Sequence, residues 1–105
     1  MQRNVQDNGP SGDGFVGPVL RSGITADAII AAIRELNEGV TVLDRGSYLR
    51  VGARRQCIVT RAAIEAHLGR PFRLPVDLEP VMPSFAGHLA ISEDEVRWSS
   101  SRSAR

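Results

Sequence analysis

Four stretches of this 105-residue chain carry residue types that do chemistry in other proteins. GDGFVG, from Gly12 to Gly17, matches the G-x-G-x-x-G pattern whose backbone N–H groups meet a dinucleotide pyrophosphate when a strand precedes it and a helix follows. Here a polar segment precedes it and Pro18 follows inside a strand-like run, so no helix N-terminus is available. Cys57, His67 and His88 are the candidate metal ligands, but no C-x-x-C or H-x-x-x-H spacing puts two of them on one face. Glu65-Ala66-His67 is one residue short of the Glu-x-x-His spacing that aims two iron ligands from one side of a helix. His67 therefore reads as a helix-end residue suited to the dipole. Ser84, in PSFAG, has no G-x-S-x-G elbow around it, and turn chemistry accounts for it. The expectation is a protein with no catalytic residue, no metal and no cofactor of its own.

Arginine is what the chain has in quantity. All 13 basic residues are Arg, and the net charge is only +1. The charge is nevertheless uneven, with seven Arg against Asp44 and Glu65 in residues 44–73, and five acids against Arg97 in residues 74–98. Guanidinium groups favour planar, bidentate contact with carboxylates. A solvated basic face is the simplest reading of the middle segment. Phosphate neutralisation by a small nucleic-acid-binding domain built on residues 45–73 is the alternative. Against it, Tyr48 is the sole aromatic in the strands of that segment and Phe72 falls in a loop, so a stacking platform is missing. Cys57 sits in the apolar run CIVT and reads as a small core residue, and a lone cysteine agrees with a reducing compartment.

The elements that must position these residues fit one domain. At 42% hydrophobic, a chain of this length can bury roughly 60 to 70% of its unfolded surface in a single core. No apolar run approaches the ~20 residues needed to span a bilayer. The polar ends, 1–13 and 99–105, are expected to be flexible, leaving 14–98 as the folded domain. FVGPVLR reads as a first strand, at a sheet edge because Pro18 cannot donate a ladder hydrogen bond. A helix follows from about 26 to 37, with Thr25 as cap, Ile24 stapled onto Ile29, and Gly39 as the stop. VTVLD and SYLRVGA form a hairpin around Arg45-Gly46, and RQCIVT is expected to complete a three-stranded meander. Thr60 caps a second helix, 61–68, which Gly69 ends. After a Pro-rich loop, GHLAI and EVRWS make a last hairpin. The fold class is α+β, mostly antiparallel, in the order β-α-β-β-β-α-loop-β-β.

In that order, VGPVLRSG, VTVLDRGSYLRV, IVTRAAIEAHLGRPF and PSFAGHLAISEDEVRW resemble the effector proteins of bacterial multicomponent diiron monooxygenases over about residues 16–98. The resemblance is strongest to the effectors of toluene-4-monooxygenase and its four-component relatives acting on aromatics and alkenes. It implies a non-catalytic, cofactor-free regulatory subunit that binds the diiron hydroxylase and couples NAD(P)H use to hydroxylation or epoxidation. Its functional companions would be a ferredoxin and a reductase. With no bilayer-length apolar run, no apolar leader region, no long apolar seam and no stacking platform, the expectation is a cytoplasmic protein, monomeric when free, that binds neither nucleic acid nor membrane. A loop held by Pro71, Pro75, Pro80 and Pro83 loses little entropy on docking. The expected hydroxylase contacts are Arg61, Arg70 and Arg73, facing acidic residues, with Pro83, Ser84, Phe85 and Gly87. Phe72 and Phe85 have a simpler reading as plugs of the core beneath the loop.

Overall fold

Alternation of apolar and polar residues produces seven strands, and two helices join them, in a computed structural model that describes residues 14–100. The elements are β1 (Phe15–Arg21), α1 (Ile24–Leu36), β2 (Thr41–Asp44), β3 (Tyr48–Arg54), β4 (Gln56–Thr60), α2 (Arg61–Leu68), β5 (Ser84–Ala86), β6 (His88–Ile91) and β7 (Glu95–Ser99), with a short 3-10 turn at Glu79–Val81. The α+β class and the expected order hold, and every strand pair is antiparallel. One short strand, β5, arises within the stretch that reads as loop. The strands form two sheets, β2-β3-β1-β5 and β4-β7-β6. The expected flexible ends fall outside the described residues, except that Ser99 closes β7.

The three-stranded meander does not form. β2 and β3 make the expected hairpin, tightened by the Gly46 N–H donating to Asp44 Oδ1 at 2.8 Å. The other edge of β3, however, is occupied by β1, from Phe15↔Arg54 to Arg21↔Tyr48. With both edges of β3 filled, β4 has to leave the sheet, and it pairs with β7 instead. The exit is Arg55, in the left-handed region at φ 68. Its N–H donates to the Gly14 carbonyl at 2.6 Å and its carbonyl accepts from Ser100 N–H at 2.9 Å.

Pro18 is likewise not at an edge, because β1 lies between β3 and β5. Its missing N–H is accommodated by a gap in the ladder: pairing with β3 runs through Val16↔Ala53, skips Gly17 and Pro18, and resumes at Val19↔Arg50. Gly17 sits in the gap at φ 152, and a Cβ there would collide with the Val51 carbonyl. That close backbone approach, and no phosphate, explains the last glycine of GDGFVG.

α1 begins earlier than expected. Gly23, not Thr25, is its N-cap, with no side-chain cap bond, and Asp27 N–H donates to Gly23 O at 3.0 Å. Ile24 is 78% exposed, so it staples nothing. α2 follows its sequence signals: Thr60 Oγ1 accepts from Ala63 N–H at 3.2 Å, and Gly69 ends the helix at φ 80. One core gathers Val16 and Leu20 of β1, Val51 and Ala53 of β3, Cys57, Val59, Val96 and Trp98 of the second sheet, Ile29 and Ile33 of α1, and Ile64 of α2. Phe72, Leu74 and Leu78 enter it from the Pro-rich segment.

Asn37, at the end of α1, joins the helix to the second sheet. Its Nδ2 donates to the carbonyls of Ile33 and Ile58, both at 2.8 Å, and its Oδ1 accepts from Ile58 N–H at 3.0 Å. β4 is an edge strand, so this amide satisfies backbone groups that an edge otherwise leaves open. Asn37→Ala removes three hydrogen bonds at a partly buried site and is expected to cost about 2–3 kcal/mol in urea unfolding. Asn37→Asp is expected not to restore that loss, because a carboxylate cannot donate to the two carbonyls. Gly17→Ala is expected to cost at least about 2 kcal/mol through its forbidden backbone geometry.

Candidate protein-docking surface

The residues singled out in the sequence fall into two groups. Arg61, at the start of α2, lies 3.4 Å from Asp94, and Arg73 lies 3.8 Å from Asp77. Both line a shallow concavity with Leu74, Val76 and Glu93. Arg70, exposed beyond the end of α2, has no ion pair among the described residues. Ser84 and Phe85 belong to β5, next to β1, and line a different depression. Phe72 is core at 2% exposure, whereas Phe85 is 40% exposed and does not plug the core. Pro83 is exposed. At Gly87, φ 104, a Cβ would lie 2.7 Å from Val16 Cγ1 and 2.8 Å from Ser99 O, so the fold requires this glycine whatever else it touches.

The Pro-rich segment is anchored rather than loose. Glu65 Oε2 accepts from Phe72 N–H at 2.9 Å, and Asp77 Oδ2 accepts from Arg73 N–H at 2.7 Å. The Leu78 carbonyl accepts from Val81 and Met82 N–H, both at 3.0 Å. With Phe72, Leu74 and Leu78 buried beneath it, the segment holds its shape by core contacts as well as by proline.

The polar groups do not converge for catalysis. Among the described residues, no three His, Cys, Asp or Glu side chains are grouped to hold a metal ion. His67 Nε2 lies 3.0 Å from Glu35 Oε2, which ties α2 to α1. Cys57 is fully buried in the core, and burial pushes its thiol from 9.0 up to about 12, because a thiolate there would be desolvated. Trp98 Nε1 is buried without a hydrogen-bond partner, in the middle of the apolar core. No helix among the described residues is long and apolar enough to cross a membrane.

The two sheets differ on the sides turned away from the core. On β4-β7-β6, Arg97 is neutralised locally: it lies 3.0 Å from Glu95 Oε2 and donates to Gln56 Oε1 at 3.2 Å. On β2-β3-β1-β5, alternation about the buried Val16, Leu20, Val51 and Ala53 turns Phe15, Val19, Arg21, Tyr48, Arg50 and Arg54 outward. The Arg54 guanidinium lies over the Phe15 ring at 5.6 Å, and that of Arg21 over Tyr48 at 5.8 Å. Gly17 and Gly52 share this face, and β5 flanks it with Ser84, Phe85 and Ala86 around a depression of about 70 Å³. Sequence reading missed this surface because it exists only once β1 pairs with β3. The available signal was the alternation of Tyr48, Arg50 and Arg54 opposite that of Phe15, Val19 and Arg21.

The described residues fold into a small α+β domain with two differently charged sheet faces. The MmoB/DmpM family model matches residues 14–99. The chain is 46% identical over 88 residues to the effector subunit of the alkene monooxygenase system of Xanthobacter autotrophicus, covering 82% of this chain and 86% of that protein. Two solved structures of a phenol hydroxylase–regulatory protein complex contain chains of the same fold. One matches with a TM-score of 0.71 at 18% identity, covering 81% of this chain and 95% of that one. The other has a TM-score of 0.64 at 20% identity, covering 80% and 96%. This chain belongs to the MmoB/DmpM family. Its role is that of an effector subunit of a multicomponent monooxygenase, not of a catalytic component. Nothing in these likenesses supports the nucleic-acid alternative.

The raised thiol of Cys57 has a measurable consequence. Alkylation of the native protein by iodoacetamide is expected to be slow and still rising with pH at about pH 10, whereas the urea-unfolded chain should react faster and level off above its ordinary thiol pKa. Because the folded value lies above the unfolded one, this group's contribution to stability is fully present below 9.0 and is lost as pH rises toward about 12.

Proposed function

We propose that this chain docks on the diiron hydroxylase of an alkene-oxidising monooxygenase and shifts it toward the conformation in which reductant use and substrate oxidation are coupled. The observation carrying this reading is the 46% identity to an alkene monooxygenase effector, across 86% of that protein's length. An effector can move the hydroxylase only by binding one of its conformations better than another. A preference of about 100-fold corresponds to about 2.7 kcal/mol. The hydrocarbon pocket, and with it the choice among alkenes and aromatics, would belong to the hydroxylase. Ferredoxin and reductase would supply electrons from NAD(P)H, a cytoplasmic reductant that suits an assembly working in the cytoplasm.

Within this reading the candidate contacts divide by role. Pro83, Ser84 and Phe85 are exposed and suited to direct contact, with Gly87 holding their strand against β1 and β7. Arg70 carries unneutralised charge and is suited to steering toward acidic hydroxylase residues. Arg61 and Arg73 would exchange Asp94 and Asp77 for carboxylates of the partner.

The test is turnover by the reconstituted hydroxylase, ferredoxin and reductase with and without this chain. Addition is expected to raise both the rate and the product formed per NAD(P)H, saturating at a fixed ratio to hydroxylase active sites. Equal rate and equal coupling without it would overturn the reading. Arg70→Glu is expected to weaken hydroxylase binding several-fold at low ionic strength, with the difference shrinking as salt rises. An affinity equal to wild type across the titration would remove Arg70 from the interface.

A further inference from the structure

We infer that Glu65 and Asp77 are positioning residues for docking: they fix the backbone at Phe72 and Arg73, so that the Arg73 guanidinium meets the hydroxylase already aligned. This rests on the reading that the chain docks on a hydroxylase through arginines that include Arg73, and it assigns the residues that set the orientation of that contact.

Packing alone leaves the direction of Arg73 open. Its neighbours Phe72 and Leu74 are buried, and Leu78 follows them into the core. Those burials tie the segment down, but apolar burial is not directional. The Arg73 side chain, 74% exposed between two buried neighbours, takes no orientation from it.

Hydrogen bonds do carry direction, and this point of the segment has them. The consecutive N–H groups of Phe72 and Arg73 each donate to a carboxylate. Phe72 donates to Glu65 Oε2, which reaches from α2, at 2.9 Å, and Arg73 donates to Asp77 Oδ2, from the turn downstream, at 2.7 Å. A carboxylate acceptor makes such a bond about twice as strong as a neutral one.

Asp77 closes the turn from both sides. Its carboxylate accepts from the Arg73 N–H, while its own N–H donates to the Arg73 carbonyl at 2.9 Å. Pro75 lies within the closed turn and Pro71 precedes it, and the pyrrolidine of each holds its own φ. Little backbone freedom is left between Pro71 and Asp77.

The ion pair is the weaker use of Asp77. Arg73 Nε lies 3.8 Å from Asp77 Oδ2, beyond hydrogen-bond distance, against 2.7 Å for the backbone bond. The carboxylate therefore grips the backbone and leaves the guanidinium able to exchange partners. A side chain carried on backbone that is ordered beforehand loses less entropy on docking.

The experiment titrates the full-length chain against its purified hydroxylase in a calorimeter, with circular dichroism melts establishing that each variant is folded. Glu65→Ala and Asp77→Ala are each expected to raise Kd at least about fivefold, chiefly through a less favourable binding entropy. Glu65→Gln and Asp77→Asn keep an oxygen that accepts from the N–H, and each is expected to stay within about twofold of wild type. Asn37→Ala, which weakens the fold at the junction of α1 and β4, is expected to bind like wild type, which separates positioning from loss of stability. In an Arg73→Ala background, Asp77→Ala is expected to raise Kd by less than about twofold further, because no guanidinium is left to aim. Wild-type affinity for folded Glu65→Ala and Asp77→Ala, or an equal loss in Asn37→Ala, would overturn the assignment and leave the effector reading intact. Gln and Asn variants as weak as the Ala variants would overturn it too, since charge and not the hydrogen bond would then be responsible. Failure of the wild-type chain to bind the hydroxylase would overturn both.

Discussion

β1 and β3 are separated in sequence by a helix and a strand, yet they pair along almost their whole length, and most other features of the molecule follow from that pairing. By filling the second edge of β3 it denies that edge to β4. The chain must then turn out of the sheet at Arg55 and found a second sheet with β6 and β7. The pairing in turn depends on one missing side chain: Gly17 lets the β1 backbone pass against the Val51 carbonyl where any Cβ would collide. Pro18 fits beside it because the ladder is already interrupted there. A loop-closure cost that grows only slowly with separation makes such a non-local pairing affordable once both strands bury an apolar row.

The second sheet needs its own support, because it is short and carries an exposed edge at β4. Asn37 gives that edge a substitute strand partner at Ile58 while ending α1. His67 and Glu35 bring α2 against α1, and Glu65 fixes the start of the Pro-rich segment. That segment then sends Phe72, Leu74 and Leu78 into the common core. Specific polar contacts backed by apolar burial thus link α1, α2, β4 and the Pro-rich segment.

Local signals in the sequence were legible where a single residue's chemistry decides the outcome. Thr60 caps α2 and Gly69 ends it because hydroxyl capping and left-handed backbone need only neighbours. The β2–β3 and β6–β7 hairpins were readable from their turns for the same reason. Residue type alone misleads at α1: Thr25 is a good cap by type, but Gly23 is the N-cap and the helix starts at Ile24. Partners distant in sequence were not legible at all. Pro18 suggested an edge, and β4 suggested a meander, because nothing local reports that β1 will claim the far side of β3. The role of Asn37 is invisible locally because its partner, Ile58, lies 21 residues away. The candidate surface was half legible: arginine enrichment pointed to the basic middle of the chain, while the face that combines Arg21, Arg50 and Arg54 with Phe15 and Tyr48 required the pairing.

An effector of this kind acts without touching oxygen or substrate, so its useful properties are shape, charge and stiffness. Binding energy spent on ordering the effector is unavailable for choosing between conformations of the partner. This fold lowers that cost in several places at once: side chains stacked on one sheet face, a proline-bearing segment pinned to the core, and an edge strand closed by an amide. Cys57 and Trp98 are buried in the common core. The same features explain why a reaction centre would be a liability here. A cluster of titrating or metal-binding side chains would need desolvation and partners of its own. Regulation by selective adhesion asks for a surface that changes little while its partner changes.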